Sequence, residues 1–363
     1  MKLECTKEQL LYGVSIAEKI SGRHPTLPIL NCLLLDAQEG ILKIKATNLE
    51  LGIEITVSSK ISSPGVVAVP AATLFNTLNN TRDTTLILEL QNDNLVIQTP
   101  TSKTIIKVVP ADDFPTLPHI SVEPFSIKNS DIMRGLKAVW YSASTATIKP
   151  ELSSVYIYAE GNSLVFVATD SFRLAEKIIP TKQTYTFKPI LLPLRAIPEL
   201  MRALERSEEN VAVSVSEHQI SFTLDTIYFT SRIVDAMYPD YRQIIPKEKT
   251  SEVIVLKHDI FSVLKKTAVF SGKFNQVHIE VDPKKKQCIV SAKSEIGETS
   301  DALAAALTGD EVAINFNLKY LTDCFQAIMG DSVSLSFSGS GKPLVIRDVS
   351  DASYLYLVMP MNR

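Results

Sequence analysis

The stretch "ATDSFRLAE", residues 168–176, places Asp170 and Arg173 within four residues of one another. An acid and a base this close could serve proton transfer. No His or Cys stands nearby as a convergent partner, and the same spacing suits a turn between strands in which Asp170 bonds its own backbone. "SGSGKP" at 338–343 suggests a phosphate loop. That loop needs a Gly where Ser336 stands and a Ser or Thr where Pro343 stands, so a hairpin turn is the reading. The chain has no GxGxxG after a strand, no HExxH and no GxSxG. The residue pattern therefore names no catalytic residue, metal ligand or cofactor. Turnover dependent on Asp170 or Arg173 would mark an enzyme instead.

The "ATD" turn is one of three related stretches. "LKIKATNLELGIEI", "LVFVATDSFRLAEK" and "CIVSAKSEIGETSD" align on Thr47, Thr169 and Lys293, with offsets of 122 and 124 residues. Each is preceded by an amphipathic helix ("KEQLLYGVSIAEK", "SDIMRGLKAVWYS", "HDIFSVLKKTAVF"). Each is followed by another ("PAATLFNTLNN", "PLRAIPELMRALERS", "NLKYLTDCFQAIMG") starting at Pro70, Pro193 and Asn317. Hairpin patterns and a closing strand complete each copy: "SKTIIKVVP", "IYFTSRIVD" and "SYLYLVMP". The expected fold is α+β in three domains, 1–120, 121–246 and 247–363, because solenoid repeats are much shorter.

Composition narrows the class. The 363 residues carry a formal net charge of −3, with 45% hydrophobic and 21% charged residues. A generally basic nucleic-acid binder is excluded, although a local basic face is not. Four scattered cysteines and five histidines give neither a disulfide framework nor a zinc spacing. The start "MKLECTKEQL" lacks a signal-peptide core and no apolar run is long enough for a membrane span, which points to a cytoplasmic protein. The six predicted helices hold ten Lys or Arg against seven Asp or Glu, so they sum to +3 and the remainder to −6. Such a bias fits solvated helix faces as well as a DNA-facing surface.

"RHPTLPIL", "PADDFPTLP", "ATDSFRLA", "DAMYPDYRQIIP" and the closing "YLVMPM" together resemble the bacterial DNA polymerase sliding clamp family, along the whole chain. The resemblance implies a non-catalytic processivity factor built from three copies of a clamp domain, each with two inner helices and outer antiparallel sheets. Two protomers joined head to tail would close a six-domain ring around duplex DNA, without base-specific contacts and without a cofactor. It implies a DNA-facing set of Arg23, Lys137, Lys149, Arg195, Arg202, Lys265, Lys266 and Lys319. It implies subunit-contact residues Ile106, Val269 and Phe270. It also implies an apolar pocket for short peptide motifs of the replicative polymerase, the clamp loader and repair proteins. That pocket comprises Leu152, Thr169, Ser171, Phe172, Arg173, Leu174, Pro239, Ile244, Tyr320, Leu357, Met359, Pro360 and Met361. Ser171, Phe172 and Gln243 replace a Gly, a His and an Arg common in the family. Pro150 and Glu151 stand where some members carry DNA-touching tyrosines, and Ala72 and Thr73 lack a basic pair found in some relatives. A scaffold that never touches DNA is the remaining alternative. It would tolerate charge reversal at Arg195 and Lys266.

Overall fold

A computed structural model describes residues 1–22, 27–38 and 40–361. Among the described residues there are six α-helices, two in each repeat. They are α1 (Lys7–Ile20), α2 (Ala71–Asn80), α3 (Asn129–Val139), α4 (Ala196–Leu204), α5 (Lys257–Thr267) and α6 (Leu318–Asp323). Their apolar stripes are the buried ones: Leu10, Val14 and Ala17 on α1, and Ile197, Leu200 and Leu204 on α4. Pro198 sits in the first turn of α4, where its missing N–H costs no helix bond. The stripe predicted through Ile328 is buried, but α6 gives way to a tighter 3-10 turn at Cys324–Gln326.

Each repeat divides its strands between two sheets. The strands Phe125–Lys128, Asn210–Val215, Gln219–Leu224 and Ile227–Arg232 of the second repeat join four strands of the first in an eight-stranded sheet. The other strands of the second repeat join five of the third in a nine-stranded sheet. The remaining first-repeat strands form a five-stranded sheet, and the remaining third-repeat strands a four-stranded one. The compact units consequently differ from the repeats. One comprises 1–132 with 195–233, the other 133–194 with 234–363.

The junctions follow one rule. The strand after the first "AT" turn, Leu51–Val57, pairs antiparallel with the closing strand of the second repeat, Ile227–Arg232. The strand after the second, Arg173–Pro180, pairs with the closing strand of the third, Tyr354–Val358. The closing strand of the first repeat, Lys103–Lys107, ends the five-stranded sheet, and Gly297–Ala302 ends the four-stranded one. Local chemistry fixes the hairpins. Asn92 and Asp93 both have positive φ, as a two-residue turn between twisted strands requires. "SGSGKP" is likewise a hairpin connection, between Ser332–Phe337 and Leu344–Asp348, with Gly339 and Gly341 at positive φ. In α3, a Cβ on Gly135 would lie 2.3 Å from the Phe166 ring, so only glycine lets this helix meet its sheet. The four cysteines are buried and free, and burial pushes the thiols of Cys5 and Cys288 up to about 12 and about 11. No helix among the described residues is long and apolar enough to cross a membrane.

Candidate functional site

The turn at 169–173 is built by its own side chains. Thr169 Oγ1 donates to the Arg173 carbonyl at 2.7 Å, and the Ser171 N–H donates back to Thr169 Oγ1. Asp170 Oδ1 accepts the N–H groups of Phe172 and Arg173, both at 3.0 Å, so the aspartate is a turn residue. The first repeat copies this frame. Thr47 donates to the Leu51 carbonyl at 2.7 Å, and Asn48 Oδ1 accepts the N–H groups of Glu50 and Leu51. The third position of both turns is left-handed, φ 73 at Leu49 and 78 at Ser171. A side chain in that region costs about 1–2 kcal/mol. Ser171→Gly should therefore raise the urea midpoint of unfolding by the equivalent of about 0.5–1 kcal/mol after glycine's extra chain entropy.

What sits on the two frames differs. In the second repeat, Leu174 and Leu357 lie opposite each other and form one buried cluster with Val165, Val167 and Tyr241, against which Met359 packs. Phe172 stands 61% exposed at the rim, and its carbonyl accepts the Met359 N–H at 2.8 Å. The Met361 N–H donates to the Asn315 carbonyl at 2.8 Å, so both ends of the 359–361 segment are held by the backbone. In the first repeat the matching pair is Gly52 and Thr230. Leu117 fills the space above them, where a Cβ on Gly52 would meet it at 2.8 Å. The matching positions are thus two leucines of a buried apolar cluster in one copy and a Gly–Thr pair under Leu117 in the other.

Arg173 organises the wall. Its Nε lies 2.9 Å from Asp170 Oδ2, its Nη1 2.6 Å from Asp323 Oδ2, and its guanidinium 4.6 Å from the centre of the Tyr320 ring. Burial works against the charge, but Tyr356, Asp323 and Asp170 outweigh it and hold the group above its ordinary range. Arg173 is therefore a structural cation, matched by carboxylates that replace its water. The turn, the ion pairs, the apolar cluster and the two backbone bonds bring together Thr169, Arg173, Leu174, Tyr320, Leu357, Met359 and Met361. Ser171, Phe172, Pro239 and Ile244 are exposed, Pro360 is half-buried, and Leu152 is buried under its own turn, its N–H on the Lys149 carbonyl. Asp323, Tyr241 and Glu176 were not among the residues expected at this site. Tyr241 stands in "YPDYR", but its partner is 65 positions away.

The candidate DNA-facing residues are less free than their number suggests. Arg23 lies outside the described residues. Arg195 is ion-paired with Glu50, Arg202 with Glu199, Lys266 with Asp301 and Lys319 with Asp323. Lys137 and Lys149 are exposed, and Lys265 lies over the Phe261 ring. At the candidate subunit contact, Val269 is 61% exposed and borders a cleft of about 1130 Å³ with Phe274 and Ile296. Phe270 rests against Gly297. Ile106 is 4% exposed inside its own unit, and Ile105 faces out at 60%.

Residues 1–118, 126–240 and 242–362 match, in order, the N-terminal, central and C-terminal domains of the DNA polymerase III beta subunit. The chain belongs to the DNA polymerase III beta subunit family. It is 28% identical to the beta sliding clamp of Salmonella typhimurium and 27% identical to that of Escherichia coli, each over 100% of both chains. The crystal structure of the beta subunit from Thermotoga maritima superposes with a TM-score of 0.94 at 27% identity, covering 100% of this chain and 99% of that one. The DNA polymerase sliding clamp from Bacillus subtilis gives 0.92 at 25% identity, with the same coverage. Within the beta subunit family fold, the three domains are the three repeats, and the shared sheets are their junctions.

Proposed function

We propose that this chain is a DNA sliding clamp, a non-catalytic ring of two head-to-tail protomers that encircles duplex DNA in the cytoplasm. Its domains would be bounded near 120 and 246. It would tether the replicative polymerase, the clamp loader and repair proteins through the groove at Leu174, Leu357 and Met359. The observation that carries the reading is the junction rule. Twice within the chain, the strand after the turn is completed by the closing strand of the next repeat. The third such strand, Gly297–Ala302, ends its sheet, and the first closing strand, Lys103–Lys107, ends another. A second copy supplies what each lacks, and the same operation applied twice closes a ring.

The proposed pairing carries a register with it. Counted out from the first helix of each repeat, Thr104 corresponds to Phe229 and Tyr356, which lie opposite Ile53 and Ala175. Thr299 then faces Thr104 of the other protomer, and Ile106 faces Gly297 beside Phe270. Lys103 becomes a diagonal neighbour of Glu298, close enough for an ion pair.

Retention on DNA is topological. Base contacts worth even ~1–3 kcal/mol would stall sliding, and the lining residues with carboxylate partners add little net attraction to phosphate. Lys137, Lys149 and Lys265 remain as the cations without a carboxylate partner among the described residues, so short linear duplex should bind with a log–log salt slope of about −3 per protomer. Protein loaded on nicked circular DNA should stay bound through gel filtration in about 0.5 M salt, where phosphate contacts are screened, and leave within minutes of linearisation. Equal loss from both forms would remove the ring.

A further inference from the structure

Glu176 is buried, 8% exposed, in the strand Arg173–Pro180. Its counterpart in the first repeat, Glu54, is equally buried but meets Lys43 Nζ at 2.8 Å and Lys45 Nζ at 3.6 Å. Glu176 has no ion pair among the described residues. Its Oε2 accepts the hydroxyl of Tyr241 instead. A buried carboxylate persists without a cation only where hydrogen bonds replace its water. Here those bonds form a chain. Tyr158 Oη is 2.8 Å from Tyr241 Oη, and Arg242 Nη2 donates to Tyr158 Oη at 2.9 Å. Arg242 in turn holds Glu160 Oε1 at 3.0 Å and Oε2 at 2.6 Å. The donors run one way, from Arg242 through Tyr158 and Tyr241 to Glu176.

Two members of this chain, Tyr241 and Arg242, begin the 3-10 turn Tyr241–Ile244, and Pro239 lies just before it. The others belong to the sheet below. The Tyr241 ring is itself part of the cluster formed by Leu174 and Leu357. The first repeat pins its linker differently, with Leu117 over Gly52 and the Tyr228 hydroxyl on the Pro118 carbonyl. The carboxylate–phenol chain thus belongs to the copy that carries the Leu174–Leu357 pair and no covering leucine from its linker.

We infer that Glu176 and Tyr241 are a positioning pair for the peptide groove, holding the linker wall that carries Pro239 and Ile244 beside Leu174 and Met359 while touching no peptide. This rests on the groove's reading as a peptide site. The test measures binding of a fluorescein-labelled peptide copying the clamp-binding segment of the replicative polymerase from the same genome, by anisotropy, on the full-length dimer. Tyr241→Phe should weaken binding roughly tenfold. Glu176→Gln, whose amide oxygen still accepts the phenol proton, should stay within about threefold. Hydrogen exchange should quicken at 239–245 in Tyr241→Phe, with sedimentation mass unchanged. Tyr158→Phe breaks the chain one bond earlier. It should fall between the two, and it decides the matter if Tyr241→Phe does not fold. Tyr241→Phe, or in its place Tyr158→Phe, binding within twofold of the parent would overturn the positioning role alone. A parent protein that does not bind the peptide would overturn the groove reading and this inference with it.

Discussion

A Val269→Asp chain should sediment as a 40.1 kDa protomer at micromolar protein, where the parent sediments as a pair. Val269, Phe274 and Ile296 are 61%, 77% and 73% exposed around one cleft, a grouping of large apolar side chains that a monomer rarely leaves to water. Placing a carboxylate there removes apolar burial and strands an unpaired charge, together about 2–3 kcal/mol at each contact. A two-fold ring has two identical contacts, so the cost counts twice. About 4–6 kcal/mol weakens dimerisation by roughly 10³–10⁴. Val269 is exposed in the protomer, so each half should keep its fold. An independent arm uses the register. Thr104→Cys with Thr299→Cys should give a covalent dimer on oxidation, because directly opposed strand residues fall within disulfide range. The native cysteines are buried and contribute little background. A Val269→Asp chain that remains paired, with no cross-link from the cysteine pair, would place the contact elsewhere.

Ending the chain at Val358 should abolish partner binding and spare the ring. The 359–361 segment hangs on two backbone bonds, to the Phe172 and Asn315 carbonyls, and Met359 packs on the Leu174–Leu357 floor. Removing it strips one side from the groove and leaves the strand Tyr354–Val358 in its sheet. Two apolar peptide side chains buried at ~1.5–3 kcal/mol each supply most of the affinity. Losing half of that burial should weaken the labelled peptide by roughly a hundredfold and remove stimulation of the polymerase. Sedimentation mass and retention on circular DNA should not change. Methionine suits this wall because its unbranched chain repacks against different ligands. Peptide affinity preserved in the shortened chain would move the site away from the groove.

Local chemistry was legible in the sequence wherever it decides the outcome. The Thr-Asx pairs at 47–48 and 169–170 announced two turns of the same geometry, and the helix stripes fell where the 3.6-residue period put them. The groove residues were reached through resemblance rather than periodicity, and the structure joins the core of the set through Leu174, Leu357 and Met359. Long-range partnerships were not legible. Spacing does not say that Leu51–Val57 takes its neighbour from the second repeat, so the two compact units cut across the three repeats. Charge counting likewise missed Glu50 beside Arg195 and Asp301 beside Lys266, pairs made by folding between distant segments. Glu176 carried no signal in the sequence, because its role comes from burial and from a phenol 65 positions along the chain.

The junction rule also governs how this chain must be made. Ile55 pairs with Ile227, which leaves the ribosome 172 residues later. At 5–20 residues per second, the first repeat holds an uncapped apolar strand for roughly ten to thirty-five seconds. The second repeat waits in the same way for the third. On the ring reading the third finds its cap only in a second chain, so each chain should leave the ribosome with one edge strand unpaired in its first repeat and one in its third. Neighbouring chains on one messenger are the nearest source of the missing strands, and closed rings should appear earliest where ribosomes are crowded.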